Sequence, residues 1–134
     1  MKKHTPLYEV LWLSTLAPDA PTNFVADIAS KTRAQNEGHG LTGLLIFNGL
    51  HLCQQVEGEK KTVEALVGQL LLDPRHVQML TLHHGPLQER RFKCFGLGYT
   101  EVGDSDPLGR LLQLEGQAAM DAFIAILPTL DLNA

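Results

Sequence analysis

The chain has little of what marks several large protein classes. Two cysteines in 134 residues, Cys53 and Cys94, lie inside apolar stretches with neither C-x-x-C nor metal-ligand spacing. A disulfide scaffold is excluded, and both read as reduced core thiols. Basic charge is scarce: 11 Lys and Arg against 15 Asp and Glu give a net charge of -4, with positive residues scattered apart from Lys60-Lys61 and Arg90-Arg91. A protein that tracks nucleic-acid phosphates is therefore disfavoured. No window reaches the roughly 18 unbroken apolar residues of a membrane helix, and the start, Met-Lys-Lys-His-Thr-Pro, lacks the apolar run of a signal peptide. A cytoplasmic chain with no membrane partner is expected. Gly96-Leu97-Gly98 lacks a third glycine and opens no helix, so it carries no dinucleotide signal. His83 and His84 alternate across a strand and cannot share a metal. The turn Ala17-Pro18-Asp19-Ala20-Pro21 offers few N–H groups and a negative charge, which argues against an acyl-phosphate hydrolase. No nucleophile with its base can be argued, and no enzyme is expected.

What is present is enough for one domain: 44% apolar residues in a chain able to bury a core. Leu7 to Thr15 is rich in β-formers and stops at the proline turn, giving strand β1. Phe24, Val25, Ile28 and Ala29 form one helical stripe, α1, running out between Asn36 and Gly40, where Gly38 can serve as a left-handed stop. Leu41–Phe47 (β2) and Leu50–Val56 (β3) flank Asn48-Gly49, a strong hairpin signal. Val63, Leu66, Val67, Leu70 and Leu71 recur at helical spacing (α2) until Asp73-Pro74. Val77–His83 (β4) ends before a turn at Gly85-Pro86, and Phe92–Tyr99 (β5) follows. Asp106-Pro107 opens a short helix to about Leu114, and a second runs from about Gln117 to Leu127.

This order predicts an α+β, ferredoxin-like βαββαβ fold with an added strand and C-terminal helices, its five-stranded sheet carrying α1 and α2 on one face. β2 has leucine or isoleucine on both faces, so the tail helices are expected to cover the other side. The only linker candidate, Gly103 to Asp106, divides the chain into a domain over 1–102 and a helical extension, packed on the sheet, over 103–134.

In a two-residue hairpin at Asn48-Gly49, Phe47 opposes Leu50, Leu45 opposes Leu52, and Gly43 opposes Gln54 on one face. Gln54 is the lone polar residue there. A buried amide left unpaired costs about 1–3 kcal/mol, so something polar must meet it. Neighbouring backbone or a buried water would serve. So would a flat ligand lying in the space left by Gly43. Trp12 and Ser14 share a face of β1, and a strand tryptophan is usually core, with an indole N–H in search of an acceptor. Asn36 either caps α1 or points over the sheet edge, and Asp73-Pro74-Arg75-His76 is on its own a solvated turn.

Together these residues resemble the BLUF domains, flavin-binding sensors of blue light. Asn36 followed by Gly40-Leu41-Thr42-Gly43-Leu44-Leu45 is similar to the family's asparagine and Leu-Thr-Gly strand. Gln54-Gln55-Val56-Glu57-Gly58 is similar to its glutamine and Glu-Gly turn, Asp73-Pro74-Arg75-His76 to its Asp-x-Arg-His turn, and Arg90-Arg91-Phe92 to its entry into β5. The resemblance covers residues 7 to 99. It implies FAD, or FMN, bound noncovalently between α1 and α2, with Asn36 at the polar edge of the ring and Gln54 beside N5 and O4. Asp73, Arg75 and His76 would lie near the ribityl chain and pyrimidine end. It implies a downstream signalling protein as partner, and a homo-oligomer is expected. Two positions depart from the pattern. The family's photoactive tyrosine, two residues before a serine on β1, is here Trp12, which would lie at the same flavin edge. The tryptophan and methionine common on β5 are here Phe95 and Leu97. Since an indole N–H only donates, an impaired or altered photocycle is expected. A flavin-free interaction module on the same fold is the alternative, because indole is bulkier than phenol.

Overall fold

A computed structural model describes residues 6–21, 23–30, 40–92, 95–99, 107–111, 113–126 and 131–133. The strands are β1 (Leu7–Leu16), β2 (Thr42–Phe47), β3 (His51–Glu59), β4 (His76–Leu87), β5 (Phe95–Tyr99) and β6 (Asp131–Asn133). The helices are α1 (residues 24–30), α2 (Lys60–Leu71), α3 (Pro107–Leu111) and α4 (Gly116–Ile126). One sheet runs β4-β1-β3-β2-β5-β6, antiparallel except where β5 joins β2 in parallel. Its β4-β1-β3-β2 portion is the split βαβ arrangement, so the ferredoxin-like α+β expectation holds. The sixth strand was not anticipated. Three residues are too few to show a period.

Strand alternation sorts the core into two layers. Val10, Trp12, Leu45, Leu52 and Val56 pack under Phe24, Val25, Ile28 and Ala29 of α1 and Val63, Leu66 and Leu70 of α2. Leu11, Leu13, Leu44, Ile46 and Cys53 pack under Leu108 and Leu111 of α3 and Ala119, Met120, Phe123 and Ile126 of α4. The double apolar face of β2 is thus explained by helices on both sides. Burial pushes the Cys53 thiol far up, which makes it inert, and Cys94 lies outside the described residues.

The hairpin differs from the expected register by two residues. Phe47 pairs with Leu52, Leu45 with Gln54 and Gly43 with Val56. Asn48 Oδ1 accepts the N–H groups of Leu50 at 2.9 Å and His51 at 2.7 Å, and Asn48 N–H reaches the His51 carbonyl at 3.3 Å. Gly49 and Leu50 are therefore the central pair. Gly49 carries the positive φ, 97°, at the first central position, as a II′ turn needs, whereas the expected I′ turn needs two. A shift of two preserves strand parity, so the same side chains still share the Gln54 face. Gly43 plays another part than space for a ligand: at its φ of 148° a Cβ would fall 2.0 Å from the Gln55 carbonyl oxygen. Glycine there admits a close backbone approach.

β4 does not stop before Gly85-Pro86 but continues through them to Leu87, with Pro86 opposite Tyr8. It lies at the sheet edge, where a missing N–H is tolerated. β5 starts at Phe95 rather than Phe92, and the helix opened by Pro107 ends at Leu111. β4 also slips against β1 twice, between Leu11 and Trp12 and between Leu13 and Thr15, and Gln78 near the second slip has a left-handed φ of 55°. Two one-residue slips restore parity. His76, paired with Leu16, therefore emerges on the Trp12 face.

Candidate functional site

Trp12 and Gln54 are direct neighbours across β1 and β3, and both are fully buried. The indole Nε1 donates to the Gln54 Oε1 at 2.8 Å. The indole N–H and the amide oxygen thus satisfy each other, a solution that periodicity did not single out. Because indole has no acceptor, the bond also fixes the amide: its oxygen must face Trp12 and its Nε2 end must face away.

His76 is buried at the mouth of the same face. Its Nδ1 lies 2.7 Å from Ser14 Oγ and its Nε2 lies 2.5 Å from the Leu70 carbonyl oxygen, so the N–H is on Nε2 and the serine hydroxyl serves Nδ1. The ring stands edge-on to Trp12, with centroids 5.6 Å apart at 62°, and also meets Phe24 at 5.6 Å. Three residues before His76, Asp73 takes the Arg75 guanidinium in a fork, with Nε at 3.0 Å and Nη2 at 2.7 Å. Arg75 Nη1 donates to Asp27 of α1 at 2.8 Å, and its guanidinium lies 4.6 Å over the Phe24 ring. The Arg75 hydrogen bonds hold the Asp73 carboxyl down at about 2, and Asp73 in turn raises Arg75 above its ordinary value.

Of the residues singled out in the sequence, Trp12, Gln54 and His76 are brought together, and Asp73 and Arg75 form the rim beside them. Asn36 lies outside the described residues. Sequence reasoning had no role for Ser14 beyond its shared face with Trp12 and none for Asp27. It also missed a second cluster on the opposite face. Gln55 Nε2 bridges Glu9 at 3.0 Å and Glu57 at 2.9 Å, Arg91 forks onto Glu9 at 2.8 and 3.1 Å, and His83 Nε2 approaches Glu9 at 3.3 Å. Glu57 also accepts Thr42 Oγ1 at 2.6 Å and the N–H groups of Arg91 and Phe92, both at 3.0 Å. Burial alone would raise the Glu9 carboxyl, but bonds from Arg91 and Gln55 and the charges of Arg91 and His83 outweigh it and hold it low. The overlooked signal was Glu9 set between Leu7 and Leu11 on one face of β1, with Glu57 opposite it on β3, a pair of carboxylates that burial permits only with partners.

The family model described as sensors of blue light using FAD, BLUF, matches residues 7–98. The chain belongs to the BLUF family. It is 29% identical over 91 residues to the blue light- and temperature-regulated antirepressor BluF of Escherichia coli K12, a match covering 68% of this chain and 23% of that protein. Klebsiella pneumoniae BlrP1 with FMN and cyclic diGMP superposes with a TM-score of 0.63 at 27% identity, over 81% of this chain and 30% of that one. The chain therefore spans less than a third of these two relatives. BlsA in its photo-activated state superposes with a TM-score of 0.76 over 96% of this chain and 99% of its own, at 19% identity, a likeness of fold.

A BLUF chain is a flavin-binding type, and the donor set here fits that group. With Oε1 held by Trp12, the Gln54 amide presents N–H donors on its other side, as acceptors such as flavin N5 and O4 require. No helix among the described residues is long and apolar enough to cross a membrane.

Proposed function

We propose that this chain is a BLUF-type sensory domain that binds FAD, with FMN as a substitute, and signals to a protein partner through a photocycle altered at Trp12. The observation that carries the reading is the buried 2.8 Å bond from Trp12 Nε1 to Gln54 Oε1. Bound flavin would supply blue-light absorption and an electron acceptor. Trp12 would supply the electron, and Gln54 would hold the ring edge by its Nε2 donors. Asn36 would hold the polar edge of the ring, and Asp73, Arg75 and His76 would lie near the ribityl chain and pyrimidine end. Arg75 is shared by two carboxylates, so it acts as a fixed part of the rim. The indole cannot accept a bond, so an amide turned with Nε2 toward position 12 has no partner there.

The domain spans 1–102 in this reading, with the tail after 103 as its helical cover. The chain is cytoplasmic, does no chemistry of its own on a substrate, and works as a homo-oligomer that signals to a downstream protein. Full-length protein titrated with FAD and FMN tests the reading. Flavin absorbance with tight uptake is expected, and Asn36→Ala is expected to weaken uptake more than Asn48→Ala, because Asn48 Oδ1 serves the turn. Colourless protein that takes up neither flavin would favour the flavin-free interaction module.

A further inference from the structure

The Trp12–Gln54 bond needs the indole in one rotamer, and that rotamer has a wall. His76 is pinned at both ring nitrogens, by Ser14 on β1 and by Leu70 in the last turn of α2. Turning the imidazole over would put ring carbons where both bonds now lie, leaving a buried hydroxyl and a helix-terminal carbonyl worse paired. The pinned ring meets the indole edge-on from one side, at 5.6 Å. Ser14 stands two residues after Trp12 on the same strand and face, so one strand supplies both the indole and the anchor of its wall.

We propose that Ser14 and His76 are positioning residues for Trp12: by fixing the imidazole they hold the indole so that Nε1 meets Gln54 Oε1, and they thereby set which end of the Gln54 amide faces the flavin. The proposal rests on the reading above for its consequence, although the positioning itself exists in flavin-free protein. Both ring nitrogens of His76 are used within the chain, so its contribution to the flavin site runs through Trp12 rather than through a ring nitrogen offered to the ligand.

The chain has a single tryptophan, so indole spectroscopy of full-length protein reports on position 12 alone. Ultraviolet resonance Raman reads the indole N–H hydrogen bond, and time-resolved anisotropy reads indole motion. Gln54→Leu gives the reference for an indole without its acceptor. Ser14→Ala and His76→Gln are expected to shift the N–H band toward that reference and to add a nanosecond component to the anisotropy decay. Ser14→Thr, which keeps the hydroxyl, is expected to restore both signals. If Ser14→Ala keeps the wild-type N–H band and anisotropy while Gln54→Leu loses the band, the positioning role is wrong. Should His76→Gln fail to fold, the Ser14→Ala and Ser14→Thr pair decides. A wild-type band unchanged by Gln54→Leu would instead remove the Trp12–Gln54 bond itself, and with it the functional reading.

Discussion

Gln54 and Gln55 are the same side chain at successive positions of one strand, both fully buried, and they live in opposite chemistry. Gln54 faces α1 and α2 among apolar and aromatic groups, and its oxygen is held by one neutral donor. Gln55 faces α4, and its nitrogen is held by two carboxylates that are themselves tied to Arg91 and to the β4–β5 connection. The amide at 55 has one tolerable orientation, because turning it would set its oxygen against Glu9 and Glu57. The amide at 54 has its oxygen fixed by the indole at position 12, so changing that residue changes what the amide can do. A sheet can thus carry a charge-locked polar cluster on one face and a neutral polar pair on the other, separated by a single peptide unit.

The largest expected effect breaks the locked side. Glu57→Gln replaces a buried acceptor of four hydrogen bonds with a group that donates into them, and is expected to cost about 3–5 kcal/mol in chemical denaturation. A cost below about 1 kcal/mol would mean that the cluster is not locked. Gln55→Leu removes the bridge between two carboxylates and is expected to cost about 2–3 kcal/mol. Gln54→Leu leaves the buried indole N–H without its acceptor and is expected to cost less in flavin-free protein, about 1–2 kcal/mol. Equal losses at 54 and 55 would dissolve the contrast between the faces. Smaller still is the acid limb. Asp73 is held at about 2 by Arg75, so its contribution to stability is present above about pH 4 and is lost as the pH falls toward 2. Asp73→Asn is expected to flatten that part of a pH–stability curve and leave the curve's shape near neutrality unchanged.

The element order was legible because apolar periods and turn residues are local signals: Val63, Leu66 and Leu70 of α2 are buried as their spacing implied. Strand parity was legible too, which is why the Gln54 face was right although the hairpin register was not. The turn was misread because the Asn48 side chain closes it from outside the central pair, so the signal Asn-Gly is the same for two frames. Gly85-Pro86 was misread because an edge strand tolerates what an inner strand does not, and edge position is a property of the whole sheet. In the site, Gln54 was found by its polarity on an apolar face. Its partner, Trp12, was named as a core residue whose indole N–H needs an acceptor and, through the family, as a flavin-edge position, but periodicity did not pair it with Gln54. The link from Ser14 to His76 depends on two slips in β4, which no residue spacing announces.

The central claim is that position 12 decides what the Gln54 amide can do, and a light-minus-dark difference spectrum of flavin-loaded wild type and Trp12→Tyr under identical illumination tests it most directly. The account predicts no lasting red shift in the wild type, because indole offers Gln54 no acceptor, and a reversible red shift in Trp12→Tyr, whose hydroxyl both donates and accepts. A clear reversible red shift in the wild type would contradict it and would move the relay to another residue.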